Sequence, residues 1–432
     1  MAIHITEPVK EMLEKNFKQE PWKLVKSRAM FLQKWAARCE QLQAEENDLH
    51  EQMAPHISKV LAGKRLLVLK EMLLELGYPD KELIRDIEKG FGLCGWLPRS
   101  HVFPPGAKRP TQSLESALRA AKGVNHSIIK QVTPSQEPGL DEEVWEQTEK
   151  EIEKGWVWLD ESCTPEEHLL AKRFGLQQGA KTRLIDDCSI GGMNSACGTH
   201  EKLRIHSIDE MAAYLAWCLT NLEHRDLKDL VGKTYDLKSA YKQYAISTAD
   251  RKRLRIAVWN PLLSKVSYLG SNALPFGAVA SVSSFLRVSM AVWYVGVVGL
   301  SLCWTVFFDD YTLVSRAASA GSAAAAAELL FQVLGIDYAE EGDKSVDFGT
   351  RVKTLGVMLD LSPEQAQHTN LLHMTLGHTE SRAAELSSTI SGILEAGQMS
   401  FKEGERLRGR LQWFESFASG RIAQKSLRLS AT

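Results

Sequence analysis

Hydrophobic residues recur at helical spacing through the first 60 positions of the chain. Val9, Met12, Leu13 and Phe17 lie three to four residues apart, with charged residues between them. Nine Lys and Arg balance nine Asp and Glu over 6–60. This pattern predicts amphipathic helices whose polar faces carry no net charge, as is typical of a scaffold or an interaction surface.

Further segments with the same periodicity continue to residue 154. Two helices are predicted within 62–92, and one each at 113–131 and 141–154. The stretch 95–110 between them is rich in proline and glycine, which favours a linker or a boundary between domains.

From about residue 155 the pattern changes to short β-rich runs that alternate with helices. The predicted strands are 183–185, 232–237, 254–259, 266–270, 302–308, 312–315 and 354–359. The predicted helices are 206–222, 279–294 and 317–335. If the hairpin 254–270 is an insertion, the order from 232 to 360 is that of a split βαββαβ sheet, with the strands 232–237 and 302–308 side by side.

An uncharged run of 21 residues, 288–308, is long enough to cross a bilayer. It contains Gly296 and Gly299 and runs directly into Asp309. These features favour a buried helix, a glycine-marked turn and an apolar strand over a membrane span. We therefore expect a soluble protein without a membrane partner.

Composition sets limits on the class of protein. The 432 residues are 44% hydrophobic and 25% charged, with a net charge of −2, which fits two to four globular units. It excludes a disordered chain and a protein that wraps nucleic acid by bulk positive charge. The seven cysteines form no CxxC pair, which argues against a zinc knuckle, and their scatter favours a reducing compartment. Charges near the N-terminus argue against a signal peptide, so the expected location is intracellular, in the cytoplasm or nucleus.

Three carboxylates lie at the ends of predicted buried strands. Asp236 ends one strand, and Asp309 and Asp310 occupy the tight turn of the hairpin 306–313. An Asp pair at a hairpin tip is also ordinary turn chemistry. Carboxylates that emerge from apolar strands are nevertheless costly unless a cation pairs with them. Three such groups would suit two Mg²⁺ ions about 3.5–4 Å apart, an arrangement used for in-line phosphoryl transfer.

Several segments around these carboxylates resemble the motifs of reverse transcriptases. Tyr-Asp-Leu-Lys-Ser-Ala-Tyr (235–241), Leu-Pro-Phe-Gly (274–277) and Phe-Phe-Asp-Asp (307–310) resemble motifs A, B and C. Lys344-Ser345 and then Thr354-Leu355-Gly356-Val357 are similar to motif D and the primer-grip turn of motif E. The stretch 181–187, closing with Met193-Asn194, resembles the fingers motif. No single motif is specific to the family, but their order across 155–360 is. The residues of the motifs are closest to those of retroelement enzymes.

The resemblance implies an α+β right-hand polymerase fold with a ferredoxin-like βαββαβ palm. It divides the chain into a helical N-terminal extension of unknown role (1–140), fingers (141–230), palm (231–360) and a helical thumb-like region (361–432). The implied activity is that of an RNA-directed DNA polymerase, a nucleotidyltransferase that adds deoxynucleotides to a primer 3′-hydroxyl. Its implied partners are deoxynucleoside triphosphates and an RNA or DNA template with primer, and no protein partner is indicated.

The resemblance also implies roles for acidic and basic residues. Asp236 and Asp309 would be the principal ligands of two Mg²⁺ ions, or of Mn²⁺ as a substitute, and Asp310 would complete the cluster. Lys344 would protonate the pyrophosphate leaving group; the alternative is a solvated loop lysine. Lys181 or Arg183 would clamp the triphosphate.

For these two basic residues the alternative is an exposed strand end that pairs with Asp186.

The remaining implied roles concern shape. Tyr241, five residues after Asp236, would be a steric gate against the 2′-hydroxyl, with a core aromatic as its alternative. Phe276 and Gly277 would form the turn behind the nascent base pair, although Pro-Phe-Gly is also an ordinary helix start. Leu355 and Gly356 would belong to the primer grip.

Nucleic-acid contacts would have to come from local basic patches. Residues 251–255 read Arg-Lys-Arg-Leu-Arg, and 401–432 carry seven Lys and Arg against three Asp and Glu. The second patch would suit a thumb that grips the phosphate backbone; its alternative is a solvated helix face.

The sequence departs from the family at Phe307, where most retroviral-type enzymes have tyrosine, and it shows no pattern of an RNase H or an integrase. A catalytically inactive, retroelement-derived nucleic-acid-binding or scaffold protein is therefore the alternative function.

Overall fold

The computed structural model describes residues 5–178, 181–223, 227, 229–340, 347–365 and 372–416. Within these ranges the helices are Glu7–Lys18 (α1), Pro21–Gln41 (α2), Gln43–Gln52 (α3), Pro55–Val60 (α4), Leu66–Glu75 (α5), Leu83–Glu88 (α6), Leu114–Gln131 (α7), Leu140–Glu153 (α8), Ile208–Asn221 (α9), Thr248–Arg253 (α10), Val279–Tyr294 (α11), Ala317–Leu334 (α12), Glu380–Ala396 (α13) and Phe401–Ser416 (α14).

The strands in the same ranges are Gly95–Trp96 (β1), Pro105–Lys108 (β2), Val157–Leu159 (β3), Leu169–Gln178 (β4), Lys181–Asp187 (β5), Cys197–Glu201 (β6), Leu230–Asp236 (β7), Leu254–Asn260 (β8), Lys265–Ser271 (β9), Cys303–Phe307 (β10), Asp310–Arg316 (β11), Arg351–Thr354 (β12), Val357–Gln365 (β13) and Leu372–His378 (β14). The fold is of the α+β class, because helices are combined with sheets whose strand pairs are mainly antiparallel.

A three-stranded central sheet has the order β10-β11-β7 and is antiparallel throughout. The prediction that the strands 232–237 and 302–308 lie side by side is therefore wrong. The connection from β7 through α11 to β10 leaves a gap one strand wide, and β11 fills it. Because β11 turns back tightly from β10, its free edge is the one that pairs with β7.

The predicted last strand of this sheet, 354–359, is not one strand. Leu355 and Gly356 have φ values of 46° and 77°, and Thr354 pairs with Val357 across them. This is the geometry of a two-residue type I′ turn. The chain therefore folds into the β12–β13 hairpin, which joins β14 in a separate sheet instead of completing a βαββαβ sheet.

This second sheet packs against the central one. The Oγ1 atoms of Thr354 and Thr312 are 2.5 Å apart, and the side chain of Val352 lies over Gly232 of β7.

The hairpin 254–270 is not an insertion. Its strands, β8 and β9, lie in the interior of a five-stranded sheet of order β3-β9-β8-β4-β5. β8 runs parallel to β4, a ten-residue strand that the sequence patterns did not predict. β8 is mostly buried, so it belongs to the interior of the fold instead of projecting from it.

The N-terminal helices pack against the central sheet and its helices. α1 buries Val9, Met12, Leu13 and Phe17, which are the residues of its predicted apolar face. They belong to a hydrophobic core that continues through α11, α12 and the central sheet. Helix α2 packs along α12.

Buried arginines join the same parts of the chain. The Arg28 Nε donates to the carbonyl oxygen of Leu300 at 3.0 Å. The Arg287 guanidinium of α11 pairs with Asp80 at 2.7 Å and with Asp86 at 2.8 Å.

The segment 288–308 folds as predicted into a helix, a turn and a strand. α11 ends at Tyr294, a π-helical turn spans Val295–Gly299, and β10 begins at Cys303. In the described part of the chain, two helical segments are long and apolar enough to cross a membrane by length and composition. These are Val279–Gly299, of which 67% is buried inside the protein, and Ala317–Leu334, of which 50% is buried.

Candidate active site

A cleft of about 1050 Å³ opens above the central sheet and against the strand β5. Seven residues singled out from the sequence line it: Lys181, Arg183, Asp236, Tyr241, Phe276, Asp309 and Asp310. Gly277, Leu355 and Gly356 are not among the lining residues. Lys344 lies outside the residues that the structure describes.

The three carboxylates converge through strand register. Asp310 is the direct partner of Asp236 across the antiparallel β7–β11 pair, so their side chains lie on one face of the sheet, with Cα atoms about 4.5–5.5 Å apart. Asp309 precedes Asp310 in the β10–β11 turn, and its carbonyl oxygen accepts a hydrogen bond from the amide of Leu237 at 3.1 Å. The backbone of the turn is thus tied directly to the end of β7.

The turn that carries Asp309 has a strained backbone and is hydrogen-bonded to helix α11. Phe308 has a φ of 55°, which is costly for a bulky side chain. Its carbonyl oxygen accepts a hydrogen bond from the Ser289 hydroxyl of α11. The Tyr311 hydroxyl donates to the Ser289 carbonyl oxygen at 3.2 Å. Helix α11 therefore fixes the position of the carboxylate-bearing turn.

The donor set suits a hard cation shared with a bound phosphate group. Within the described ranges, no three His, Cys, Asp or Glu side chains are grouped closely enough to hold a metal ion by themselves. Mg²⁺ commonly uses only one or two carboxylates and completes its octahedron with water and substrate phosphates. The carboxylate chemistry of Asp236, Asp309 and Asp310 fits that mode of binding, and the cleft is not a complete metal cage made of protein side chains.

Tyr241 forms part of an aromatic wall of the cleft. Its ring packs edge-on against Phe276, with ring centroids 5.7 Å apart. It also packs at a tilt against the buried Phe285, with centroids 4.9 Å apart. Burial, with a smaller contribution from the charge of Asp309, raises the pKa of its hydroxyl above the ordinary value. Tyr241 is thus a neutral, packed ring beside the carboxylates. Tyr241 packs against the hydrophobic core, as its alternative as a core aromatic predicts, and it also lines the cleft.

Phe276 lies at a tight turn that a fingers-motif residue holds in place. Gly277 has a φ of 128°, and a Cβ atom there would lie 2.1 Å from the carbonyl oxygen of Asp186. Asn194 accepts a hydrogen bond from the Val279 amide at 2.9 Å and donates to the Gly277 carbonyl oxygen at 3.0 Å. Phe276 itself is 39% exposed, so the turn presents its ring to the cleft.

Lys181 and Arg183 lie two residues apart on β5, where both are exposed and line the cleft. The proposed pairing of Arg183 with Asp186 is wrong. Asp186 is buried and instead accepts two hydrogen bonds from Arg173, at 2.7 and 3.0 Å. Arg183 and Lys181 are therefore both placed where an anionic ligand could reach them.

Among the solved structures that are similar to this chain are two forms of one viral protein. The foamy viral protease–reverse transcriptase in complex with double-stranded DNA has 14% identity and a TM-score of 0.45, and the match covers 90% of this chain and 66% of that one. The "dRH" form of that protein, also with double-stranded DNA, has 12% identity and a TM-score of 0.45, with coverage of 86% and 52%. The chain thus spans between about half and two thirds of their lengths. No protein-family model and no curated protein matches the sequence.

Because these sequence identities are low, a functional conclusion must rest on the residues of the cleft and not on the structural similarity.

Sequence reasoning missed several charged residues of the cleft. The missed residues that also line it are Lys150 and Glu151 of α8, Lys154 directly after α8, Lys242 and Lys353. The pattern at 141–154 predicts only a helix, and nothing in it shows which residues face a cleft. Lys353 lies two residues before Leu355, so the predicted primer-grip hairpin reaches the cleft through its first strand, β12.

The arginines of the basic run 251–255 mainly contact other residues of the protein. Arg251 stacks on the Trp158 ring at 4.0 Å, Arg253 pairs with Asp250 at 3.1 Å, and Arg255 pairs with Asp160 at 2.6 Å. In contrast, α14 of the second basic patch is largely exposed as far as residue 412. The remainder of that patch, 417–432, lies outside the described residues.

Proposed function

We propose that this chain is an RNA-directed DNA polymerase that extends a primer 3′-hydroxyl with deoxynucleotides. The observation that carries the proposal is the convergence of Asp236, Asp309 and Asp310 in one cleft. The cleft also presents an aromatic wall and exposed cations, which are the groups that bind a sugar and a triphosphate. The resemblance of the motif segments, in family order, to those of reverse transcriptases supports the same activity.

Under this proposal Asp236 and Asp309 would hold two Mg²⁺ ions, with Asp310 as a further carboxylate. When bound, the ions would stabilise the charge that develops on the transferred phosphoryl group and activate the primer hydroxyl. Mn²⁺ would be accepted as a substitute, because oxygen ligands also suit it.

The residues of the chain itself would position the reactants. Lys181 and Arg183 would hold the triphosphate, because both are exposed on the β5 side of the cleft. The Tyr241 ring would lie beneath the sugar, where a 2′-hydroxyl would clash with it. Phe276 would pack against the incoming base pair. Lys344 as the general acid for pyrophosphate remains a prediction.

The template and primer would enter between the five-stranded sheet and the C-terminal helices. Lys353 of β12 and the exposed basic residues of α14, Lys402, Arg406 and Arg408 among them, would contact phosphates. We therefore expect primer–template affinity to fall steeply as the salt concentration rises.

The test is primer extension on an RNA template with deoxynucleotides and either Mg²⁺ or Mn²⁺. Wild type is expected to extend the primer, and Asp309→Asn to lose at least about 100-fold in rate, because it removes a metal-binding charge. The matched control is Asp209→Asn, an exposed residue in the first turn of α9, which is expected to retain full activity.

A folded wild type that binds primer–template but never extends it would contradict the polymerase proposal. That outcome, with binding unchanged in Asp309→Asn, would instead support a non-catalytic nucleic-acid-binding or scaffold protein.

A further inference from the structure

A buried network of charges lies beneath the cleft. The Arg173 side chain is fully buried and pairs with Asp186 at 2.7 Å and with Glu151 at 2.8 Å. The second carboxylate oxygen of Glu151 lies 3.0 Å from the Lys242 ammonium. Four elements therefore contribute one charge each: α8, β4, β5 and the 3₁₀ turn Ala240–Gln243.

The signs in this network alternate, and its formal net charge is zero. Burial opposes ionisation of Glu151, but the charges of Lys242 and Arg173 hold its pKa below the ordinary value. Burial likewise opposes the charge of Arg173, but Asp186 and Glu151 outweigh it and raise the pKa. Glu151 and Arg173 are therefore ionised near neutral pH. Removing one member of such a network is strongly destabilising, because it leaves a buried charge without its partner.

Lys242 depends on Glu151 in particular. Its side chain is 10% exposed, and its ammonium makes no hydrogen bond of good geometry to any residue the structure describes. The ion pair with Glu151 is thus its one close polar contact in the described part of the chain.

The two ends of the network reach the two segments that carry the rings of the aromatic wall. At one end, Lys242 directly follows Tyr241 in the 3₁₀ turn. At the other end, the backbone amide of Asp186 donates to the Phe276 carbonyl oxygen at 2.9 Å. The carbonyl oxygen of Asp186 packs against Gly277. A continuous chain of ionic contacts thus connects the 3₁₀ turn that carries Tyr241 with the strand that holds the turn of Phe276.

We propose that Lys242, Glu151, Arg173 and Asp186 act as positioning residues that set the spacing of Tyr241 and Phe276, and with it the affinity and sugar selectivity for the incoming nucleotide. The inference rests on the proposed polymerase function. It adds residues outside the carboxylates and the aromatic wall to those that determine specificity.

The variants Lys242→Met, Lys242→Arg, Glu151→Gln and the double variant Lys242→Met with Glu151→Gln test the network. Lys242→Met is expected to raise the KM for deoxynucleotide about tenfold and to lower discrimination against ribonucleotides, with kcat changed less than about threefold. Lys242→Arg keeps the charge and is expected to restore both values to near wild type. The effects of the single variants should not add in the double variant, because both break the Lys242–Glu151 ion pair.

Hydrogen exchange provides a readout that is independent of activity. Lys242→Met is expected to speed amide exchange both in 236–244 and in 272–278, although Lys242 itself lies only in the first of these segments. The matched control is Lys233→Met, which removes a 3.0 Å ion pair with Glu328. Lys233 is not among the residues that line the cleft. This control should leave exchange in 272–278 unchanged.

Unchanged amide exchange in 272–278 in both Lys242→Met and Glu151→Gln would contradict the positioning role of the network, whatever the activity of the variants. If Lys242→Met does not fold, Glu151→Gln gives the exchange readout, and Lys242→Arg is its control that keeps the charge. If the wild type extends no primer while exchange responds as expected, the proposed polymerase function fails and the coupling of the two segments stands. A raised KM with additive single effects would instead assign Lys242 a direct contact with the ligand and contradict the positioning role.

Discussion

Tyr241 combines two properties that rarely occur together at a protein surface. One side of its ring packs against the buried Phe285, while the ring also lines the cleft beside Asp309. A ring held in this way cannot move aside for a larger ligand without a loss of packing, because aromatic contacts of this kind stabilise by about 0.5–1.5 kcal/mol. Such rigidity is what a residue needs in order to exclude a single hydroxyl group.

We expect Tyr241→Ala to accept ribonucleotides much better than wild type. The preference for deoxynucleotides, measured as the ratio of kcat/KM values in single-nucleotide extension, should fall about tenfold or more. Tyr241→Phe is the matched control, because it keeps the ring and loses only the hydroxyl, and it should retain the preference. An alanine variant that folds and still rejects ribonucleotides would show that another group excludes the 2′-hydroxyl.

At the scale of secondary-structure elements, tight turns position residues of the site. The β10–β11 turn positions Asp309, the turn at 274–277 positions Phe276, and a type I′ turn at Leu355 and Gly356 closes the β12–β13 hairpin. Each turn has at least one residue with positive φ. The strands and helices that flank them supply the fixed frame, so the geometry of the cleft depends on a few constrained backbone positions.

Gly277→Ala should disturb both stability and the cleft. A φ of 128° is strained for alanine, and the added Cβ would meet the backbone of Asp186 at 2.1 Å. We expect a loss of at least about 1–3 kcal/mol in the free energy of unfolding, measured by urea denaturation, together with weaker nucleotide binding. In Gly321→Ala, a control in α12 where an added Cβ meets nothing within 4 Å, stability should rise by about 0.5–1 kcal/mol.

Equal effects of the two alanine substitutions would mean that the backbone at Gly277 relaxes freely, and that the turn is not constrained.

At the scale of the whole molecule, the N-terminal helices help to hold the strand that leads to the site. Arg28 of α2 is buried and donates to the carbonyl oxygens of Leu300 and Ser301, both at 3.0 Å, just before β10. It also donates to the side chain of Asn16 at 3.2 Å. Burial lowers the pKa of Arg28 to about 10, so it stays charged at neutral pH. The region 1–140 therefore contributes to the core next to the central sheet.

Arg28→Met is expected to destabilise the protein by about 2–3 kcal/mol, because it removes the Arg28 donor from the buried Leu300 carbonyl oxygen and from the Asn16 side-chain oxygen. The control Arg38→Met removes a solvent-exposed ion pair with Glu71 and should cost only about 0.2–1 kcal/mol. Urea unfolding of both variants at pH 7 measures the difference. Similar losses for the two would indicate that α2 is not coupled to the strand through Arg28.

Local pattern was sufficient for many of the helices, and the resemblance of the motifs indicated part of the cleft. Helical spacing predicted α1 and its buried face, and it predicted α11 and α12 to within one residue of their observed ends. The motif positions of Asp236, Tyr241 and Asp309 indicated residues that prove to line one cleft. The helix predictions succeed because periodicity is a property of neighbouring residues.

Tertiary structure alone decided which strands are neighbours and which charges pair. The sequence cannot show that β11 lies between β10 and β7, or that β8 pairs with β4, because both depend on contacts between distant segments. For the same reason Asp186 was assigned to Arg183, three residues away, when its partner is Arg173 on the adjacent strand. By itself the sequence determined the local elements and the chemistry available to the site. Long-range packing, which brings residues of remote segments within hydrogen-bond distance, determined the cleft and the charge network beneath it.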